Sequence, residues 1–213
     1  MERYRNRREA GQQLTRHLTA YAQRPNTLIL ALPRGGVPVG AEVAAGLGCP
    51  LDVLLVRKLG VPGYPEYAMG AIAEGDVTVT HDDVIRDLRI PADAVADTVA
   101  HERRELARRE ATYRANRPRS PIADQTVIVV DDGLATGATM EAAVAALRRL
   151  NAARIVVAVP VGSAETCARL RRTADEVVCP LTPSPFNALG AWYDDFSQTT
   201  DDEVEALLAA SGR

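Results

Sequence analysis

Of the 25 lysine and arginine residues in this 213-residue chain, Lys58 is the only lysine. Acids outnumber these bases, 28 to 25, giving a formal charge of −3 and a pI near 5.7. That balance lacks the basic footprint of a general nucleic-acid binder. No apolar run approaches the roughly 20 residues that span a bilayer. The opening MERYRNRREA is charged where a secretory leader would be hydrophobic. The expectation is a cytoplasmic protein with neither a membrane nor a nucleic acid as partner. Cys49, Cys167 and Cys179 are odd in number and lack CxxC spacing, which supports neither a disulfide framework nor zinc and suits buried small side chains in a reducing compartment. His17, His81 and His101 show no ligand spacing either. Aromatic residues are sparse at 4%, yet Phe186, Trp192, Tyr193 and Phe196 gather near the C-terminus. Rings concentrated in this way serve either to anchor a segment or to meet a planar ligand.

What is present alternates between strand and helix. Apolar runs predict strands near residues 27–32, 52–57, 71–80 (one strand or two short ones), 126–131, 154–159 and 175–179. Between them lie helical patterns, among them an amphipathic helix over 7–23 with Leu14, Leu18 and Tyr21 inward, and a long charged helix over 91–116. Glu105 and Arg109 form a favourable i,i+4 pair on the latter, which reads as a solvated outer layer, while Val95, Val99, Leu106 and Tyr113 offer the alternative of a face for a partner subunit in a homodimer. This alternation predicts an α/β fold, a doubly wound and mainly parallel sheet flanked by helices, over one domain of residues 1–213.

The richest segment is VIVVDDGLATGAT, residues 127–139. Its β-branched start suits a strand buried on both faces, and Asp131 and Asp132 fall at the carboxyl end, where open α/β sheets bind ligands. Gly133, Ala135, Gly137 and Ala138 allow close backbone approach, and Thr136 and Thr139 supply hydroxyls. A helical pattern follows, so free N–H groups and a positive dipole end face the same loop. This is a cradle for phosphate with two carboxylates beside it, acceptors for hydroxyls or for the water shell of Mg2+.

A second strand-turn-helix pattern lies upstream, where TLILAL leads into Pro33, Arg34, Gly35 and Gly36 and then a helical run. Backbone N–H groups again make an anion site, with Arg34 adding a charge-assisted contact. The third element, VLLVRKLG over 53–60, carries Arg57 and Lys58 near its end. A chain that writes almost every cation as arginine gives its one lysine significance, because ammonium is a compact, mobile charge that a guanidinium fork does not mimic. Residues 61–76 are rich in Pro, Gly and Tyr and read as a loop turning into a short strand, a lid whose one acid in the loop proper, Glu66, is a candidate base or positioning group.

Together these segments resemble the type I phosphoribosyltransferases. The resemblance covers essentially the whole chain and is sharpest at 33–36, 57–58 and 131–139. It implies that Asp131 and Asp132 hold the ribose hydroxyls of 5-phosphoribosyl-1-diphosphate, and that Ala135, Thr136, Gly137, Ala138 and Thr139 hold its 5′-phosphate. Pro33, Arg34, Gly35, Gly36, Arg57 and Lys58 would hold the diphosphate, with Mg2+ as cofactor. Lys58, Arg34, Asp131 and Asp132 are the implied catalytic set, with a nitrogen nucleophile, a nucleobase by analogy, as small-molecule acceptor. Two positions depart from the family pattern. Gly133 stands where an aliphatic residue is usual. Ala135 stands where the hypoxanthine-guanine branch carries an acid credited with general-base work.

The Pro-rich C-terminal stretch, residues 181–213, reads as a flap ending in a helix near 200–210, placed where the family carries a variable hood. Trp192 or Tyr193 would stack on the acceptor there, or else anchor the tail. Two rival readings belong to other classes. A non-catalytic regulator would sense 5-phosphoribosyl-1-diphosphate or a nucleotide, and would carry a nucleic-acid-binding surface that this sequence lacks. An amidotransferase would need an N-terminal nucleophilic cysteine and a further domain.

Overall fold

A computed structural model of the chain describes residues 3–114 and 117–211, except the side chains of residues 65 and 66. The strands are β1 (Thr27–Ala31), β2 (Leu51–Val53), β3 (Val56–Val61), β4 (Tyr64–Ala73), β5 (Val77–Thr80), β6 (Thr126–Val130), β7 (Arg154–Ala158) and β8 (Glu176–Val178). The helices are α1 (Arg7–Thr15), α2 (Gly36–Leu47), α3 (Asp82–Asp87), α4 (Ala92–Arg114), α5 (Ala138–Arg149), α6 (Ala164–Leu170) and α7 (Asp201–Ala210).

A five-stranded parallel sheet in the order β2-β1-β6-β7-β8 forms the centre. Its central strands β1, β6 and β7 are apolar beyond their first residue because both faces are covered. Alternate side chains serve two cores: Ile29, Ile128, Val130 and Val156 face one, while Leu28, Leu30, Val127 and Val129 face the other. On the first face lie Leu14 of α1, Val39 and Val43 of α2, and Val204 and Leu208 of α7. Met140, Val144 and Leu147 of α5 and Leu170 of α6 fill the second. Fully burying such a side chain stabilises the fold by roughly 1.5–3 kcal/mol.

A three-stranded antiparallel sheet, β3-β4-β5, stands apart as a hood packed on α4 and α5. The run expected as one strand over 52–57 breaks here. β2 stays in the central sheet and β3 leaves it, with Leu54 and Leu55 buried between them. An unbroken apolar run has no period to mark where a chain changes sheets. The stretch expected as a loop is instead an antiparallel hairpin with a turn at Pro62 and Gly63 and register shifts around Gly60. Proline and glycine argue against strand by propensity, but a bulged, outlying pair tolerates both. Residues 71–80 do make two strands, split by a turn in which Gly75 and Asp76 have positive φ.

Two helices differ from expectation. α1 ends at Thr15, and a 3₁₀ turn at Thr19–Tyr21 carries the chain on. Leu14, Leu18 and Tyr21 are all buried as their spacing requires. The face of α4 offered to a partner subunit is used within the chain. Leu106 and Tyr113 are 6% and 7% exposed, and Val95 and Val99 pack on the same core. Its counterpart is the hood and α7, invisible while residues 61–70 read as loop. Ala115 and Asn116, the expected end of this helix, lie outside the described residues.

Candidate active site

The two glycine-containing loops follow β1 and β6, which are neighbours in parallel register with Ala31 opposite Val130. From this pair the sheet grows outward in opposite directions, to β2 and to β7. A crevice therefore opens at the carboxyl ends of β1 and β6. The loops interlock: Leu32 N–H donates to the Val130 carbonyl at 2.9 Å, and the Pro33–Arg34 peptide is cis. A Cβ at Gly36 would lie 2.7 Å from the Val130 oxygen, and one at Gly35 would collide with the Asp132 carboxylate. Only glycine lets the turn lie this close to the acid pair.

Side-chain capping differs among the helices. Asn6, Ser163 and Thr200 cap α1, α6 and α7 with side-chain oxygens, whereas α2 and α5 begin at Gly35 and Gly137 with no such cap. The first-turn N–H groups of α5 are available to an anion, whereas in α2 the Gly36 and Val37 N–H groups donate to the Leu32 and Arg34 carbonyls and Pro38 has none. Gly137 sits at φ +78, a conformation that side chains rarely adopt. Behind the loop, Thr166 Oγ1 donates to the Ala135 carbonyl at 2.8 Å and Arg169 donates to the Thr136 carbonyl. Ala135, Thr136 and Thr139 remain exposed. Gly133 is also explained, since Leu189 and the Val161 carbonyl occupy the space an aliphatic side chain would need.

The acid pair is held from beneath. Asp131 Oδ1 accepts from the Asp132 N–H at 2.8 Å. Asp132 is 9% exposed, and its Oδ2 accepts from Arg7 Nε at 2.8 Å. Arg7 in turn lies over the Phe196 ring, 4.0 Å from its centroid, and donates to the Ser197 carbonyl at 2.7 Å. Burial pushes the Asp131 carboxyl well above the usual carboxylate range, and the neighbouring Asp132 charge adds to this. Burial also raises Asp132, against the opposing pull of Arg7.

Pro33 after β1 and Thr139 after β6 border a cavity of about 650 Å³, also lined by Arg57, Lys58, Glu102 and Arg109 among others. It brings part of the expected diphosphate set together with the start of α5. Arg57 Nε donates to Glu102 Oε2 at 2.7 Å. Arg34 faces a neighbouring cavity of about 240 Å³ with Arg108, Arg109 and Tyr113, where it lies 3.7 Å from Asp201. Arg109 lines both cavities. The helix pair expected at Glu105 forms with Arg108 instead, at 3.3 Å.

Trp192 and Tyr193 belong to neither cavity. Tyr193 is 3% exposed, its ring packed between Tyr4 and Phe196 and its hydroxyl donating to the Asp132 carbonyl at 2.6 Å, which leaves no face for a base. Trp192 packs in the same cluster. Glu66 lies on β4, with its side chain outside the described residues. Sequence reading missed Arg7, Glu102 and Arg109. The spacing of Glu102 and Arg109, two helical turns, carries a faint signal for the last two, and nothing in the sequence marks Arg7, 125 positions from its partner.

A family model described as the phosphoribosyl transferase domain matches residues 2–191. A Mycobacterium tuberculosis H37Rv protein, provisionally named a phosphoribosyl transferase, is 46% identical over all 213 residues. The chain spans about half the length of the curated relatives it matches, 48% in this case. The crystal structure of TT1426 from Thermus thermophilus superposes with a TM-score of 0.92 at 43% identity, over 99% of this chain and 100% of that one. A protein from Aquifex aeolicus, AQ2163, shares the fold at 10% identity, with a TM-score of 0.52 over 86% of this chain and 78% of its own. With the acid pair, the uncapped start of α5 and this family match in hand, the chain belongs to the phosphoribosyl transferase domain family.

Proposed function

We propose that the chain transfers ribose 5-phosphate from 5-phosphoribosyl-1-diphosphate to a nitrogen nucleophile of a small molecule, a nucleobase by family analogy, with release of diphosphate. The observation that carries this reading is the uncapped start of α5 and the tight glycine turn at 33–36, flanking two adjacent carboxylates at one sheet crevice. Two anion sites separated by hydroxyl acceptors match a sugar phosphorylated at both ends.

In this reading Thr136, Thr139 and the 135–139 backbone fix the 5′-phosphate, and Asp131 and Asp132 orient the ribose. Bond breaking at C1′ leaves an oxocarbenium-like sugar and sends negative charge onto the departing diphosphate. The turn at 33–36, Arg34, Arg57 and Lys58 stabilise that charge. Magnesium fits as an ion carried by the substrate. It keeps much of its water shell and binds through one or two carboxylates plus phosphates, and Asp131 and Asp132 would meet that shell. When bound it would neutralise part of the diphosphate charge. Among the described residues no group of three or more His, Cys, Asp or Glu forms a cage for it.

Calorimetry with 5-phosphoribosyl-1-diphosphate, with and without magnesium, tests the donor site. Unchanged binding in the Asp131→Asn plus Asp132→Asn variant would remove the ribose role. Diphosphate release assayed across purines, pyrimidines and small amines tests the transfer. Donor binding with no release for any acceptor would replace this reading with that of a sensor.

A further inference from the structure

Arg109 is a partly buried cation on α4 that the family motifs leave without a role. Among the described residues no carboxylate lies within ion-pair distance of it. Glu105 pairs with Arg108, and Glu102 with Arg57. Burial and the like charges of Arg57 and Arg108 depress its pKa, with Tyr113 and Glu105 opposing them only in part. A guanidinium withdrawn from water toward other guanidiniums costs free energy that a bound anion offsets. The anion's place is set by the cavities, because Arg109 forms part of the wall of both spaces that border Pro33. Lys58 and Arg57 line the larger space and Arg34 the smaller one, so four cations border the turn.

Resting on the phosphoribosyl transfer reading above, we propose that Arg109 of α4 is a diphosphate-binding residue, closing the outer side of the site whose inner side is the turn at 33–36. Arginine suits this place because its planar fork binds two phosphate oxygens at once, and it stays charged despite burial. Glu102 takes the Nε edge of Arg57 and so aims that second guanidinium at the same space. α4 thereby becomes part of the donor site instead of a solvated outer layer.

The test is calorimetry, with magnesium, of inorganic diphosphate, ribose 5-phosphate and 5-phosphoribosyl-1-diphosphate. Wild type is compared with Arg109→Gln and Arg109→Lys. The glutamine variant is expected to lose about tenfold or more in affinity for both diphosphate-bearing ligands, as befits hydrogen bonds to a charged group. Ribose 5-phosphate affinity should hold, which also shows that the variant is folded, and lysine should recover part of the loss. Wild-type affinity for diphosphate in both variants overturns the role of Arg109 alone. Failure of wild type to bind any of the three ligands overturns the functional reading and this proposal with it.

Discussion

Asp131 and Asp132 are adjacent, but among the described residues only Asp132 has a buried cation against its carboxylate, Arg7 at 2.8 Å. Asp131, whose carboxyl burial raises well above the usual carboxylate range, carries a charge that the fold disfavours. A raised folded-state pKa gives stability that is fully present below the unfolded value and is lost as pH rises through the folded one. Asp131→Asn, which does not titrate, should therefore raise the melting temperature at pH 7 and give no gain below about pH 4, where an unfolded aspartate is itself protonated. At this chain length each ~1 kcal/mol appears as roughly 2–4 °C. Asp132→Asn should gain less, because the pull of Arg7 opposes the burial that raises Asp132. Thermal melts of both variants across that pH range decide the matter, and equal shifts would contradict the asymmetry. Lys58 supplies a second prediction at this scale. It lines the large cavity from β3, so Lys58→Ala should lower turnover by about 10²–10³-fold, with arginine rescuing it only in part. Full turnover in the alanine variant would leave the lysine with no part in leaving-group stabilisation. The motif residues are legible one by one because phosphate cradles demand small residues, hydroxyls and acids in a fixed order. Arg7 is not, because the contact that matters joins positions 125 apart.

At the scale of elements, the hood and the C-terminal tail divide tasks that the sequence placed together. Antiparallel strands β3, β4 and β5 build the hood from the middle of the chain. The tail instead forms a cluster in which Trp192, Phe186, Leu189 and Phe196 pack around Tyr4 and Tyr193. Aromatic clustering by itself cannot separate an anchor from a stacking platform, since both need exposed ring area before folding. Accessibility after folding separates them. Trp192→Ala is expected to cost about 1–3 kcal/mol of stability while leaving donor affinity unchanged, and no acceptor should alter the indole fluorescence by direct contact. Titration with donor, magnesium and candidate bases, beside a urea melt, checks this. A selective loss of acceptor binding at unchanged stability would return Trp192 to the base site.

Across the whole molecule, the two ends of the chain meet beneath the acid pair. Tyr4 N–H donates to the Trp192 carbonyl at 3.0 Å, Asp194 N–H donates back to the Tyr4 carbonyl at 2.9 Å, and the Tyr4 hydroxyl reaches the Pro160 carbonyl at 3.0 Å. Arg7, at the start of α1, joins this staple to the end of β6 through Asp132, with side-chain exposures of 11% and 12% for the pair. Arg7→Met should destabilise the protein by about 3–5 kcal/mol, the cost of stranding one member of a buried pair, visible as a lower urea midpoint at unchanged m-value. A midpoint matching wild type would show that the staple holds without the ion pair. The parallel α/β sheet, the two glycine turns and the acid pair were already written in the order of the residues, because strand burial, helix starts and anion cradles are local patterns a few residues long. Folding in three dimensions settled the rest: an apparent loop is a hood hairpin, the apolar face of α4 is covered from within, and Arg7 and Arg109 reach the site. Those outcomes depend on which distant surfaces meet, and the energy of burying them belongs to neither segment alone.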